Sequence, residues 1–201
     1  MKKISVLIVL SFLALNIQAQ KLVSVPINST APLLESKMLS VSRDSISVKA
    51  AMKKNGVLII FSCNTCPYVI KNQQRNNSVA EHALKNDVGV IIINSNEALR
   101  QSEDSYKSMQ IYAKQQKYNW HYTLDNNSVI ADAYGATRTP EVFLLNASGN
   151  VMYKGAIDDN PSDAENVTRQ HLKIAIDEMV SNKNITVKES KSVGCSIKRL
   201  K

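Results

Sequence analysis

Cysteine is scarce: the 201-residue chain has three, and none precedes Cys63, which excludes a lipid-modified cysteine near the N-terminus. Only Cys63 and Cys66 are closely spaced. No second such pair completes a four-cysteine zinc site, and His82, His121 and His171 show no ligand spacing. The apolar stretch from Ile4 to Ile17 has 14 residues, short of the ~20 that a membrane-spanning helix requires, so no stable membrane anchor is expected. The length suits one domain with a sizeable core and is too small for two. The formal charge is +8, with a basic cluster at Lys183, Lys188, Lys191, Lys198, Arg199 and Lys201 against Glu189. No aromatic residue accompanies that cluster, so a solvated tail is expected and nucleic acid is not an expected partner.

Lys2 and Lys3 ahead of the apolar stretch, with Ile17-Gln18-Ala19 closing it, read as a secretory signal peptide cleaved after Ala19. Cleavage leaves a formal charge of +6 and places the chain outside the cytosol, in a periplasmic or secreted setting where disulfides persist. The expected organisation is a signal peptide at 1–19, a loose segment at 20–36, a domain at 37–182 and a basic tail at 183–201.

The rest of the chain is organised around Cys63-Asn64-Thr65-Cys66-Pro67. Val57 to Phe61 forms an uninterrupted apolar run rich in β-branched residues, as expected of a strand buried on both faces. Pro67 disfavours helix at Cys66 and suits the first helical position, which puts the cysteines in a strand-to-helix turn. Backbone N–H groups and the helix dipole there favour thiolate. In thiol-disulfide exchange one thiol attacks a disulfide and a second displaces the product. By order in the motif, Cys63 is the exposed nucleophile and Cys66 the resolving thiol. Half of a zinc site and an inert structural disulfide are the competing readings of such a pair.

Leu39 and Val41, then Ile46 and Val48, alternate with polar residues around Arg43-Asp44-Ser45 and predict an N-terminal hairpin. Lys49 to Lys54 has room for one helical turn. The helix after Pro67 is expected to break near Asn76-Asn77 and resume through Val79, Ala80, Ala83 and Leu84. Val88 to Ile93 predicts a second buried strand, ending at Asn94-Ser95-Asn96 on the same sheet edge as the cysteines. Ser102 is a candidate cap for a helix carrying Tyr106, Met109, Tyr112 and Ala113 on one face. Next come a strand at Trp120 to Leu124, a helix from Ser128 to Tyr134 stopping at Gly135, and a hairpin of Glu141–Leu145 with Val151–Tyr153. Ser162 with Glu165 reads as a capping box for a last helix bearing Val167, Leu172, Ala175, Ile176, Met179 and Val180.

This order resembles the thioredoxin fold, an α/β architecture with a central mixed β-sheet flanked by helices, here with an N-terminal β extension. From about Thr30 onward the chain is similar to the exported thioredoxin-like branch of the redoxin (AhpC/TSA-like) family. The resemblance is carried by Phe61 to Tyr68, Ile93 to Asn96, Tyr134 to Pro140, Tyr153 to Asp159 and Gly194 to Lys198. It implies that Pro140 is the cis-proline beside the cysteines, holding Thr139 ready to pair with an extended substrate and keeping metal off the thiols. Typical peroxiredoxins place Pro seven and Thr three residues before the reactive cysteine. Those positions hold Gly56 and Ile60 before Cys63, and Ile59 and Cys63 before Cys66, so the hydroxyl that holds peroxide is missing. Many thioredoxins carry a buried carboxylate in the strand before the cysteines, and Val57 to Phe61 has none. Glu141, beside Pro140, is the candidate base for Cys66, against an ordinary role as a solvent-facing strand residue.

The expected activity is thiol-disulfide exchange on protein or small-molecule thiols and disulfides. A redox partner recharges the pair, and no cofactor is needed beyond a redox-active Cys63–Cys66 disulfide. A thiol peroxidase and a non-catalytic metal-binding or carrier protein are the alternatives. Cys195 is left over when Cys63 and Cys66 pair. It is either a third thiol folded back onto the pair as a relay or resolving group, or a free or intermolecularly paired thiol on a flexible tail.

Overall fold

Alternate residues of Val57 to Phe61 point to opposite faces of one sheet, and each face has its own hydrophobic core, which is why the run is apolar throughout. The computed structural model describes residues 22–200; the expected signal peptide lies outside them. The strands are β1 (Met38–Ser40), β2 (Ser45–Ile46), β3 (Gly56–Ser62), β4 (Val88–Asn94), β5 (His121–Leu124), β6 (Arg138–Thr139), β7 (Glu141–Leu145), β8 (Val151–Gly155) and β9 (Cys195–Ser196). Seven of them form a mixed sheet in the order β2-β1-β5-β4-β3-β7-β8, and β6 pairs with β9. β3, β4 and β5 run parallel, with Ile59 opposite Ile91 and Ile91 opposite His121. β7 returns antiparallel to β3 and pairs with β8. The N-terminal hairpin forms and extends the sheet through β5, but the expected alternation is corrected: Met38 is buried and Leu39 exposed, and Val48 lies beyond the second strand in a helix.

The helices are α1 (Val48–Ala51), α2 (Pro67–Lys71), α3 (Gln73–Lys85), α4 (Tyr106–Gln115), α5 (Val129–Tyr134) and α6 (His171–Val180). On one face of the sheet Leu58, Ile60, Val90 and Ile92 pack under α3, α4 and α6. On the other, Val57, Ile59, Phe61, Ile91 and Ile93 meet α1, α5 and the N-terminal segment. Phe61, Tyr134 and Phe143 stack edge to face with centroids 5.3 to 5.8 Å apart, and Phe61 lies two residues before Cys63. Gly135 ends α5 in the left-handed conformation, φ 65°.

Four further local expectations are corrected. The break after the cysteines falls at Asn72, between α2 and α3, not at Asn76-Asn77. The Asn72 amide donates to the carbonyls of Tyr68, 2.7 Å, and Pro161, 3.0 Å, competing with helix continuation. The cap of α4 is Ser105 rather than Ser102, its hydroxyl accepting from Ser108 N at 3.3 Å. Ser162 and Glu165 do not cap a helix, and α6 begins only at His171, beyond Val167. Asn160 accepts from the N–H groups of Ser162 and Asp163, and Asp163 from that of Glu165, which closes local turns instead. Lastly, α1 is capped by Ser47 and ends at Ala51, earlier than Lys54.

The segments flanking the sheet are not loose. Residues 22–36 hold no helix but bury Val25 and Ala31 and bond along the chain, from Val25 N to Tyr134 O, Asn28 N to Val151 O and Ala31 N to Gly149 O. The basic tail, expected to be solvated, buries Ile185 and Ile197 in the two cores. Its strand β9 runs antiparallel to β6. Among the described residues no helix is long and apolar enough to cross a membrane.

Ile59 is fully buried at the centre of the sheet. Ile59→Ala is expected to lower unfolding free energy by about 2–5 kcal/mol, read from the denaturant midpoint. A loss well under ~1 kcal/mol would place the core elsewhere.

Candidate functional site

β3 delivers Cys63 one residue past its end, and Pro67 opens α2 with Cys66 as the N-cap. Both cysteines therefore sit at the carboxyl edge of the parallel strands, where α/β sheets form ligand crevices. Thr139 faces them across that edge, and the Thr139–Pro140 peptide bond is cis. Cys63 Sγ donates to Thr139 Oγ1 at 3.6 Å, and Cys66 Sγ lies 3.2 Å from the Thr139 carbonyl oxygen, to which its S–H donates when protonated. All three cysteines are free thiols, and Cys195 packs against the cluster of Cys63, Cys66 and Val69 together with Tyr68.

The expectation that Cys63 is the exposed thiol at the helix end is corrected: Cys63 is 1% exposed and Cys66 5%, and Cys66 is the one that caps the helix. The two thiols are neighbours in one buried cluster, so they titrate as a pair. The Cys63 thiol is pushed up by Cys66 beside it, by burial, and by the Asp104 carboxylate that faces it. Cys66 is pulled down, first by Cys63 beside it, against its burial, then by Cys195 and the nearby backbone of Val69 and Cys195. Cys195 is pushed up by burial and by Cys66 beside it.

Glu141 makes its hydrogen bonds away from Cys66. Its Oε2 accepts from the N–H groups of Thr137, 2.7 Å, and Arg138, 3.0 Å, so it shapes the loop that carries Thr139. The carboxylate beside the cysteine turn is Asp104, fully buried. It accepts from Asn64 N at 2.8 Å, Asn94 Nδ2 at 2.8 Å and Asn96 Nδ2 at 2.9 Å. The Tyr122 hydroxyl joins them by donating to Asn64 Oδ1 and accepting from Asn94 Nδ2, each at 2.9 Å. Asp104 lies in an irregular polar stretch that gives no periodic signal. Asn94 and Asn96 were legible as polar residues where a buried strand ends. Among the described residues no group of three or more His, Cys, Asp or Glu is placed to hold a metal ion.

Residues 26–170 match the redoxin family, and the chain belongs to it. An uncharacterised conserved protein from Geobacillus kaustophilus is similar at 28% identity over 87% of this chain and 93% of its own, TM-score 0.80. A hypothetical protein from Sinorhizobium meliloti 1021 is 25% identical over 88% of this chain and 96% of its own, TM-score 0.78. A putative protein disulfide isomerase from Bacteroides thetaiotaomicron, 16% identical over 78% of this chain and 91% of its own, shares the fold at TM-score 0.58. The comparison with curated proteins finds no match. The architecture is the thioredoxin fold, and the family places redox chemistry in it.

The surroundings of the two thiols predict that the reduced protein loses its thiol protons in separated steps, the first below the ordinary thiol range at Cys66 and the last above it at Cys63, as read by ultraviolet thiolate absorbance. Asp104→Asn removes the charge facing Cys63 and is expected to move that last step down. An unmoved last step in a folded variant would remove Asp104 from the electrostatics of the site.

Proposed function

We propose that the chain is an exported thiol-disulfide oxidoreductase using Cys63 and Cys66 as its dithiol. The observation that carries this reading is the contact of one residue, Thr139, with both sulfurs at the carboxyl edge of the sheet. The redoxin family and the fold shared with a putative protein disulfide isomerase support it. Protein or small-molecule disulfides are the substrate class, and a partner thiol or disulfide recharges the pair. Lys2, Lys3 and the apolar stretch after them support export.

The Cys63 thiolate attacks a substrate disulfide, forming a mixed disulfide and releasing one substrate sulfur as thiolate. Cys66 then attacks the Cys63 sulfur, which frees the second substrate thiol and leaves a Cys63–Cys66 disulfide; run backwards, the same steps oxidise a substrate dithiol. Cys66 is suited to the second attack because its thiolate is held at the helix end. Part of that support comes from Cys195, packed beside it. When a substrate displaces the Cys195 strand, Cys66 loses that support and competes less for the negative charge, which favours thiolate on Cys63. Peroxide reduction is not favoured, because Ile60, where a peroxide-holding hydroxyl would stand, is a buried core residue.

Cys63→Ser is expected to bring disulfide reductase activity to background, and Cys66→Ser to accumulate mixed disulfides with substrate. Accumulation in Cys63→Ser instead would reverse the two roles. Metal analysis of the reduced, purified protein separates a metal carrier from a redox enzyme, with no stoichiometric metal expected.

A further inference from the structure

Residues 194–199 are tied down along their whole length, although nothing in their sequence pattern requires it. Arg138 Nη1 donates to Gly194 O at 3.3 Å, Ile197 N to Thr137 O at 3.1 Å, and Lys198 N to Asn96 Oδ1 at 2.9 Å. Ala98 N donates to Lys198 O at 2.8 Å, and Arg199 pairs with Asp132 at 2.6 Å and donates to Ala136 O at 2.7 Å. Between these anchors Thr139 stands opposite Cys195 in antiparallel register. The approach is so close that a Cβ on Gly194 would lie 2.1 Å from the Thr139 carbonyl oxygen. Strand addition at a free edge is a common way to bind an extended peptide. Here the chain's own Gly194–Lys198 segment occupies the edge and packs Cys195 against the cluster of Cys63, Cys66 and Val69.

We propose that the Gly194–Lys198 segment is an internal substrate strand, docked on the Thr139 edge so that Cys195 exchanges with the active-site disulfide at Cys66. The proposal rests on the dithiol reading of Cys63 and Cys66 given above. After a substrate disulfide has oxidised the pair, the Cys195 thiol gives up its proton and attacks Cys66 Sγ. The Cys66–Cys195 bond forms as the Cys63–Cys66 bond breaks, the leaving electron pair goes to Cys63, and Cys63 takes the proton. One disulfide is exchanged for another with no net redox change, and Cys63 is again a thiol, available to attack. The strand pairing selects Cys66 as the partner: Cys195 packs against the cysteine cluster opposite Thr139, whose carbonyl oxygen lies 3.2 Å from Cys66 Sγ, whereas Cys63 Sγ is turned to the Thr139 hydroxyl.

The test is disulfide mapping of the full chain. Reduced protein is oxidised with oxidised glutathione, quenched in acid, alkylated with N-ethylmaleimide and digested without reduction. Cys63–Cys66 and Cys66–Cys195 bridges are both expected in the monomer. Gly194→Val, which cannot seat the strand, is expected to cut the Cys66–Cys195 share by about tenfold and to speed alkylation of Cys195, while the Cys63–Cys66 bridge persists. Cys63→Ser is expected to form the Cys66–Cys195 bridge directly, giving a second route to the contact that does not disturb the strand. A Cys63–Cys66 bridge alone in the parent, with Cys195 of Cys63→Ser found only in intermolecular dimers, overturns the internal-substrate proposal and leaves the dithiol reading intact. Oxidation that never joins Cys63 to Cys66 in any form overturns both.

Discussion

Thr139 meets all three cysteines. Its hydroxyl accepts from Cys63, its carbonyl faces Cys66, and its backbone pairs with Cys195. Residues far apart in sequence converge on it, and much of the surrounding structure serves to hold it still. Glu141 closes the loop ahead of it by accepting two N–H groups. β7 anchors the chain beyond Pro140, pairing Glu141 with Phe61 just before the cysteine turn. The cysteine turn and the Thr139 loop are therefore extensions of two hydrogen-bonded neighbours in one sheet, and their separation is set by strand pairing.

A second constraint comes from Asp104. Its oxygens accept from the backbone beside Cys63 and from the amides of Asn94 and Asn96 at the end of β4. Asn96 passes the contact on, accepting from Lys198 in the tail. A buried anion is tolerable only when its lone pairs are met by donors, and here those donors are the groups that shape the site. The same charge raises the cost of a thiolate on Cys63. The tail packs Cys195 beside Cys66, which pulls that thiol down. Both act in one direction and leave the closed dithiol with its charge on the second cysteine.

The sheet was legible because its central strands announce themselves. Val57 to Phe61 and Val88 to Ile93 need apolar residues on both faces, and Pro67 and Gly135 mark a helix start and stop by backbone geometry alone. The cysteine pair and the cis bond before Pro140 were legible from motif and family resemblance. What escaped was set by tertiary contacts. The break at Asn72 depends on a carbonyl at Pro161, far along the chain. Asp104 finds its partners on other segments, and the tail holds its place through Ile197 and a series of backbone bonds that no periodicity encodes. Glu141 stood out by its position beside Pro140, yet its hydrogen bonds run to the loop backbone.

Cys63 and Cys66, as proposed, are a working redox couple and not a structural bridge or a pair of idle thiols. Equilibrating the protein with graded mixtures of reduced and oxidised dithiothreitol or glutathione, and counting free thiols, tests this most directly. A reversible two-electron transition is expected between about −270 and −120 mV, the span of known dithiol oxidoreductases. A midpoint below about −300 mV, where structural disulfides lie, or thiols that never interconvert across the series, would contradict it.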